Sequence, residues 1–324
     1  MRACWCGNTD FQPFGSGYGE CKVCGTLVSL NPLITNDKLL VRDDDTDFYG
    51  KRYWMEYQKQ YLGLPDIYMR ARNDLTERNL HWLKALMKYY LPPADVLELG
   101  CAHGSFVAIM RQAGYQASGI EMSPWVVAFG RETFGVPIDI GPIESLNLPS
   151  ASLDVIVLMD VLEHLSDPMA TMRRCLELLK PDGLLLIQTP QFKEGMRYTV
   201  LLETKSAFLE LLKPDEHLYL FSERSVAEMF HQLGAGHIYF EPAIFAYYDM
   251  FFAVSRTPLQ VNAPERIESA LLATPNGRIV LALLDLRKRE LDLIRKLKES
   301  EEDRAARWEQ IVTLTAMLKG SKTD

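Results

Sequence analysis

Val96–Leu97–Glu98–Leu99–Gly100–Cys101–Ala102–His103–Gly104–Ser105–Phe106 reads as a buried strand that breaks at a glycine and resumes as a helix. Small residues at such a turn let the backbone approach a ligand, and the helix start offers unpaired N–H groups to an anion. Outward from this turn, apolar runs of strand length alternate with amphipathic stretches from Ala94 to about Ser255. The runs Asp95–Leu99, Gln116–Ile120, Pro137–Ile140, Leu153–Met159, Leu184–Thr189, His237–Glu241 and Ala246–Ser255 read as strands. Ser105–Ala113, Pro124 to about Phe134, Pro168–Leu179 and Ser222–Leu233 read as the helices between them. Such alternation predicts an α/β, Rossmann-like, doubly wound and mostly parallel seven-stranded sheet, its last two strands an antiparallel edge hairpin.

Glu121 stands 21 positions after Gly100, where an acid can accept both hydroxyls of an adenosine ribose. These features fit either a nicotinamide dinucleotide or S-adenosylmethionine. A G-x-G-x-x-G fingerprint counted from Gly100 would need glycines where Ala102 and Ser105 stand, which weakens the pyrophosphate reading. Glu98, two residues before Gly100, would suit the cationic amino group of a methionine moiety. The Tyr18…Lys22 pair, of reductase-like spacing, lies ahead of the cofactor loop, inside the cysteine cluster.

Five stretches follow in order: Glu98–Gly104, Gly119–Pro124, Ile143–Pro149, Asp160–His164 and Leu179–Gly183. Together they resemble the class I S-adenosylmethionine-dependent methyltransferases, over about Asp95 to Ser255. The resemblance implies that Gly100, Ala102, His103 and Gly104 border the methionine part and that Glu121 holds the ribose. It places Met122 on the adenine and brings Ile143 and Glu144 to the exocyclic amine, through the Glu144 side chain or neighbouring backbone. Asp160 and Val161 would line the reacting side. Ala102 departs from the glycine that many members carry there, the mildest replacement.

Cys4-x-Cys6, then fourteen residues, then Cys21-x-x-Cys24 supplies four soft ligands in two close pairs. Such a set suits a closed tetrahedral Zn²⁺ of structural kind. A segment this short would owe most of its folding energy to the metal. A cysteine ribbon ahead of this domain resembles sugar methyltransferases of bacterial deoxysugar and surface-polysaccharide pathways, so the expected acceptor is a carbohydrate or nucleotide sugar, methylated at oxygen or carbon. Some of those enzymes carry a late Glu-His pair, which Glu216–His217 resembles. His217, Glu216 and His164 are therefore the candidate acceptor-side residues, because an imidazole titrating near neutrality suits a general base. The alternatives are an NAD-dependent nucleotide-sugar oxidoreductase and a noncatalytic assembly scaffold.

Four segments follow: a zinc ribbon over 1–30, a helical aromatic cap over 31–91, the catalytic domain over 92–258 and charged C-terminal helices over 259–324. Tyr49, Tyr53, Tyr57 and Tyr61 recur every four residues, one face of a helix. Tyr57 and Tyr61 read as packing; Tyr49 and Tyr53, with Phe48 and Trp54, read as closing over the cofactor. Gln191–Pro214 is a long insert of the kind that forms lids, and its Arg197, Tyr198, Lys205 and Lys213 suit an acidic or phosphate-bearing acceptor. In the C-terminal arm, Asp285–Arg289, Asp292–Lys296 and Asp303–Arg307 are acid-before-base pairs four apart. Self-association, docking to a glycosyltransferase and folding back on the catalytic domain are all open to that arm. With 43 acidic against 35 basic residues, the net charge of −8 argues against a broad nucleic-acid surface. The longest aliphatic run is far below the ~20 residues of a membrane span, and no apolar leader follows Met1, so the expected location is cytoplasmic.

Overall fold

A computed structural model describes residues 2–31, 41–61, 63, 65–245 and 247–320. The strands in chain order are β1 (Phe11–Gly15), β2 (Tyr18–Cys21), β3 (Leu27–Ser29), β4 (Asp95–Leu99), β5 (Gln116–Glu121) and β6 (Ile138–Ile140). They continue with β7 (Leu153–Met159), β8 (Leu179–Pro190), β9 (Tyr219–Leu220), β10 (His237–Glu241) and β11 (Asp249–Ser255). Seven of them form one sheet in the order β10-β11-β8-β7-β4-β5-β6. The β4–β8 neighbours pair in parallel, and β11 and β10 close the edge as an antiparallel hairpin. This is the expected doubly wound sheet. The chain runs outward from β4 to β6, then returns to β7 beside β4, so a crevice opens at the C-terminal ends of β4 and β7.

Local chemistry sets the helices. A π-helical turn, Tyr53–Tyr57, runs into α1 (Gln58–Tyr61); α2 (Ile67–Asp74) runs through a second π turn, Leu75–Asn79, into α3 (Leu80–Tyr89). Then come α4 (Ser105–Ala113), α5 (Pro124–Phe134), α6 (Pro168–Leu178), α7 (Tyr198–Glu203), α8 (Glu223–Gln232), α9 (Pro264–Leu272) and α10 (Pro275–Gly320). Ser123 and Asp167 cap α5 and α6 by accepting from the amides of Val126 and Ala170, each just ahead of a proline at the first turn. Ser222 and Ser225 bond each other's backbone reciprocally to start α8. α4 has no side-chain cap, and its Gly104 takes a left-handed φ of 75°.

All seven β7 residues are buried, as a parallel strand covered on both faces requires. Ile156 and Leu158 pack toward α6 and α8, while Val155 and Val157 pack toward α3 and α4. The C-terminal region contributes to that second layer, because Leu271 and Val280 are buried in it. Beyond it, the 46-residue α10 runs on as one helix through the polar stretch 298–307, with Leu293, Leu297 and Trp308 exposed. Asp303 pairs with Arg307 at 2.8 Å as expected, whereas Asp292 pairs with Arg295.

Three features depart from the sequence reading. Strand β8 starts at Leu179 rather than Leu184, because Leu179 pairs with Leu153 and Lys180 reaches Asp154 at 2.8 Å. The start of the last strand at Ala246 lies outside the described residues; its observed start is Asp249. The third is the cysteine-rich segment, which does not stand alone. Its strands extend to β9 in the order β1-β2-β3-β9, with Leu27 opposite Leu220 and Val28 opposite Tyr219. Phe14, Tyr18 and Leu27 share a small core with Phe192, Leu201 and Phe208 of the insert. Trp5 and Val28 join the main core. Apolar burial of this kind stabilises the segment alongside whatever a metal contributes. Among the described residues, no helix is long and apolar enough to cross a membrane.

Candidate active site

A cavity of about 810 Å³ opens at the crevice between β4 and β7. One end is built on the turn after β4. Gly100 has φ +69°, and a Cβ there would stand 2.6 Å from Val161 Cγ2, so a side chain would be strained and would have to displace Val161. Ala102 also takes a positive φ, 48°, the conformation that a glycine holds without strain. The Glu98 carboxylate is buried, and its Oε2 has no hydrogen-bond partner. Burial pushes this carboxyl well above the usual range. A buried, unpartnered carboxylate oxygen on the cavity wall is a place for a cationic ligand group.

The Glu121 carboxylate ties the turn together. Its Oε2 accepts from the Ala102 amide at 3.0 Å, and Oε1 accepts from Met122 and Ser123 at 2.7 and 3.2 Å. Met122, Ile143 and Glu144 line the same end, with Glu144 also accepting from the Thr171 hydroxyl at 2.9 Å. Glu98, Gly100, Ala102, His103, Glu121, Asp160 and Val161 line the cavity as well. Gly104 instead packs behind the turn, where a Cβ would meet Ile138 at 2.8 Å. Its role is to let α4 lie close to β6.

Sequence reasoning missed a charged row on this side. Arg70, Asp74 and Arg78 line the cavity from α2 and the π turn that follows. Their spacing of four, one helix face, was the available signal. Arg70 pairs with Asp74 at 3.1 Å, and Arg78 reaches Asp160 at 3.5 Å. His103, lowered in pKa by burial, sets its Nε2 3.3 Å from Asp74. The row continues through Gln188, which donates to Asp160 and accepts from the Trp82 indole. π turns recur where side chains must be re-aimed at a site.

The other end gathers His164, Glu216 and His217. The two imidazole rings are 5.0 Å apart. Tyr57 donates to Glu216 Oε1 at 2.9 Å, a polar role where packing alone was expected. Tyr49 meets the His164 ring at this end, and Tyr53 and Trp54 line the cavity beside it. Of the insert's basic residues Arg197, Lys205 and Lys213, Lys213 alone lines the cavity, and the neighbouring Tyr198 packs on Phe14. The near-neutral imidazole expected from sequence is corrected here: burial lowers both pKa values, that of His217 to about 3 with His164 beside it. Burial, with Asp160 nearby, also pushes the Asp249 carboxyl of this wall up to about 8.

The segment that carries His217 is held by the cysteine ribbon. Tyr18 donates to the His217 carbonyl at 2.7 Å, Ser29 donates to the Pro214 carbonyl at 2.7 Å, and the Ser29 amide donates to the Leu218 carbonyl at 3.0 Å. In the ribbon itself the four Sγ atoms all lie within 4.8 Å of one another. Cys4 and Cys24 are 3.4 Å apart, and Cys6 and Cys21 are 3.6 Å apart. A tetrahedral Zn²⁺ with ~2.3 Å bonds separates its sulfurs by about 3.8 Å. The donor set therefore fits that ion, and the Asn8 amide 3.2 Å from Cys21 Sγ supplies the kind of outer-shell contact such sites use.

A doubly wound sheet with a small-residue turn, an acid at the end of the next strand and a cavity at its switch point is the arrangement in which α/β proteins hold nucleotide-type ligands. A family model described as a methyltransferase domain matches residues 69–236, and the chain belongs to that family. The ubiquinone biosynthesis O-methyltransferase of Xanthomonas campestris pv. campestris is 34% identical over 128 residues, 36% of this chain and 54% of that protein. A probable S-adenosylmethionine-dependent methyltransferase of Mycolicibacterium smegmatis is 35% identical over 97 residues, 30% of this chain and 38% of that one. The chain thus spans about half or less of the length of these curated relatives. Among solved structures, the magnesium protoporphyrin IX methyltransferase of Synechocystis PCC 6803 overlays with a TM-score of 0.46 at 17% identity, covering 63% of this chain and 97% of that chain.

Proposed function

We propose that the protein transfers the methyl group of S-adenosylmethionine to an oxygen or carbon of a small acceptor of carbohydrate or nucleotide-sugar type. The observation that carries this reading is the buried, unpartnered Glu98 Oε2 beside the Gly100 turn, with Glu121 at the end of the next strand. The cofactor's ammonium would lie against Glu98 and its ribose against Glu121. Met122, Ile143 and Glu144 would surround the adenine. When bound, the cofactor supplies an electrophilic methyl on a sulfonium. The protein's part is to align the acceptor in line with it, exclude water and let the acceptor's proton leave. Asp160 and Val161 would face the reacting centre, and His164, Glu216 and His217 would form the acceptor end. Zn²⁺ on Cys4, Cys6, Cys21 and Cys24 would be structural.

The carbohydrate reading rests on the ribbon and the Glu216–His217 pair. An aromatic hydroxyl is the second reading, favoured by Tyr49, Tyr53, Phe245 and Tyr248 on the cavity wall and by the activity that the ubiquinone-pathway relatives' names describe. Calorimetric titration with S-adenosylmethionine, S-adenosylhomocysteine and NAD tests the cofactor. Near-stoichiometric binding of the first two supports the proposal, and binding of NAD alone overturns it. A methyl-transfer screen of nucleotide sugars, glycans and phenols then separates the acceptor classes.

The turn gives a further expectation. In Gly100→Ala, affinity for S-adenosylhomocysteine should fall at least tenfold (about 1.4 kcal/mol), since a methyl at φ +69° meets both left-handed strain and Val161. Adding Val161→Ala removes the clash and leaves the strain, so calorimetry should find the double variant only partly restored. Unchanged affinity in the single variant would mean the cofactor does not lie on this turn.

A further inference from the structure

At the acceptor end, three side chains converge in a way that alignment alone does not use. Glu163 and His164 lie in the 3₁₀ turn Leu162–His164 directly after β7, and His217 arrives from the loop held by the ribbon. One carboxylate oxygen of Glu163 and one ring nitrogen of each histidine all lie within 4.8 Å of one another. His164 Nδ1 is 2.8 Å from the Glu216 backbone carbonyl, and His217 Nδ1 is 2.7 Å from the Leu211 backbone carbonyl. A carbonyl only accepts, so in each ring Nδ1 carries the hydrogen and Nε2 keeps its lone pair. A metal-ligating histidine is usually fixed in this way, its far N–H given to a backbone carbonyl or carboxylate.

Glu163 is oriented too. Its Oε2 accepts from the Thr189 hydroxyl at 2.9 Å, which leaves Oε1 at 3.7 Å from His164 Nε2. The side chain is 1% exposed, and burial, with Asp160 nearby, pushes its carboxyl well above the usual range. A cation among these groups would favour the charged carboxylate that burial alone disfavours. Glu163, His164 and His217 all line the cavity, so an ion among them would keep open positions toward the acceptor.

We propose that Glu163, His164 and His217 form a divalent metal-ion site, distinct from the cysteine cluster, that binds the acceptor through its oxygens. Two imidazoles and one carboxylate suit Zn²⁺, Fe²⁺ or Mn²⁺, and three protein ligands leave coordination positions for an acceptor with neighbouring oxygens. This assignment deepens the methyl-transfer reading and rests on it for the acceptor. An acceptor hydroxyl on the ion is acidified and gives its proton to solvent. Its oxygen then forms the new bond to the methyl carbon as the sulfur–carbon bond breaks, and the electron pair returns to sulfur as a neutral thioether.

The test is Mn²⁺ binding to the full chain already loaded with one equivalent of Zn²⁺, followed by loss of the free Mn²⁺ electron paramagnetic signal. Thiolates disfavour Mn²⁺, so the cysteine cluster does not compete. One Mn²⁺ per chain is expected. Glu163→Gln and His217→Ala should each weaken it by more than the roughly 10–100-fold that loss of an outer-shell partner costs. Both variants should keep native affinity for S-adenosylhomocysteine, which shows that they are folded. No uptake by the native chain, or equal uptake by both variants, overturns the site. Should Mn²⁺ bind while S-adenosylhomocysteine does not, the ion site stands and the methyltransferase reading falls.

Discussion

A Cys24→Ser variant should bind S-adenosylhomocysteine as the native chain does and yet fail to methylate its acceptor. The reason is where the ribbon is attached. Its β3 strand pairs with β9, Tyr18 and Ser29 donate to the carbonyls of His217 and Pro214, and the Asn31 amide reaches the Asp215 carboxylate. Those contacts converge on the segment that carries Glu216 and His217, whereas the cofactor turn is built on β4, β5 and α4. A structural Zn²⁺ contributes about 10–16 kcal/mol to folding in small peptides. The ribbon here buries Phe14, Tyr18 and Leu27 as well, so it should loosen rather than unfold. Misplacing an acceptor-side group by about 1 Å costs on the order of 100-fold in rate. A loss of at least that size in kcat/KM is expected, with zinc content falling below one per chain and the calorimetric affinity kept within about threefold. Full activity without the metal would make the ribbon a passive appendage. Equal loss of binding and turnover would instead give it a role in the stability of the whole domain.

Glu121→Ala should have the opposite profile, removing cofactor affinity first. The carboxylate accepts three backbone N–H groups, from Ala102, Met122 and Ser123, of the roughly four directions a carboxylate offers. Its removal deletes the proposed ribose contact and unties the turn from the end of β5 at once. Hydrogen bonds to a charged group are worth about 1.5–3 kcal/mol each. Loss of the one bond left for the ribose predicts a fall in S-adenosylhomocysteine affinity of about tenfold or more. Circular dichroism and a melting curve would separate this from unfolding, since the buried strands β7, β8 and β11 do not pair with β5, which carries Glu121. Native-like affinity in a folded Glu121→Ala protein would remove the cofactor from this turn.

The parts of the fold that were legible in the sequence are those governed by neighbours in the chain. Ser123–Pro124 and Asp167–Pro168 announce helix starts because cap and first-turn proline act within three residues. Gly114 marks a helix end for the same local reason. The end of the cavity at the Gly100 turn followed from one strand–turn–helix unit. The end at His164 and His217 did not, because its partners come from afar. Tyr57 looks like an apolar stripe residue until Glu216, 159 positions later, receives its hydroxyl. β9 is two residues long, and its only mark is the strand it meets. The pKa values of His164 and His217 are set by burial among several segments, which spacing does not reveal.

The bond between Tyr18 and His217 joins residues 199 positions apart. A ribosome adding about 5–20 residues per second needs roughly 10–40 s to cover that distance. For that interval the nascent cysteine segment has neither β9 nor the insert to pack against, and four thiols wait with their apolar neighbours uncovered. Ion capture during synthesis would shield them before their tertiary partners exist. The order of events in the cell would then run from metal, to sheet completion, to a finished acceptor pocket, and a shortage of zinc during growth would be felt as poor yield of the protein before it was felt as slow turnover.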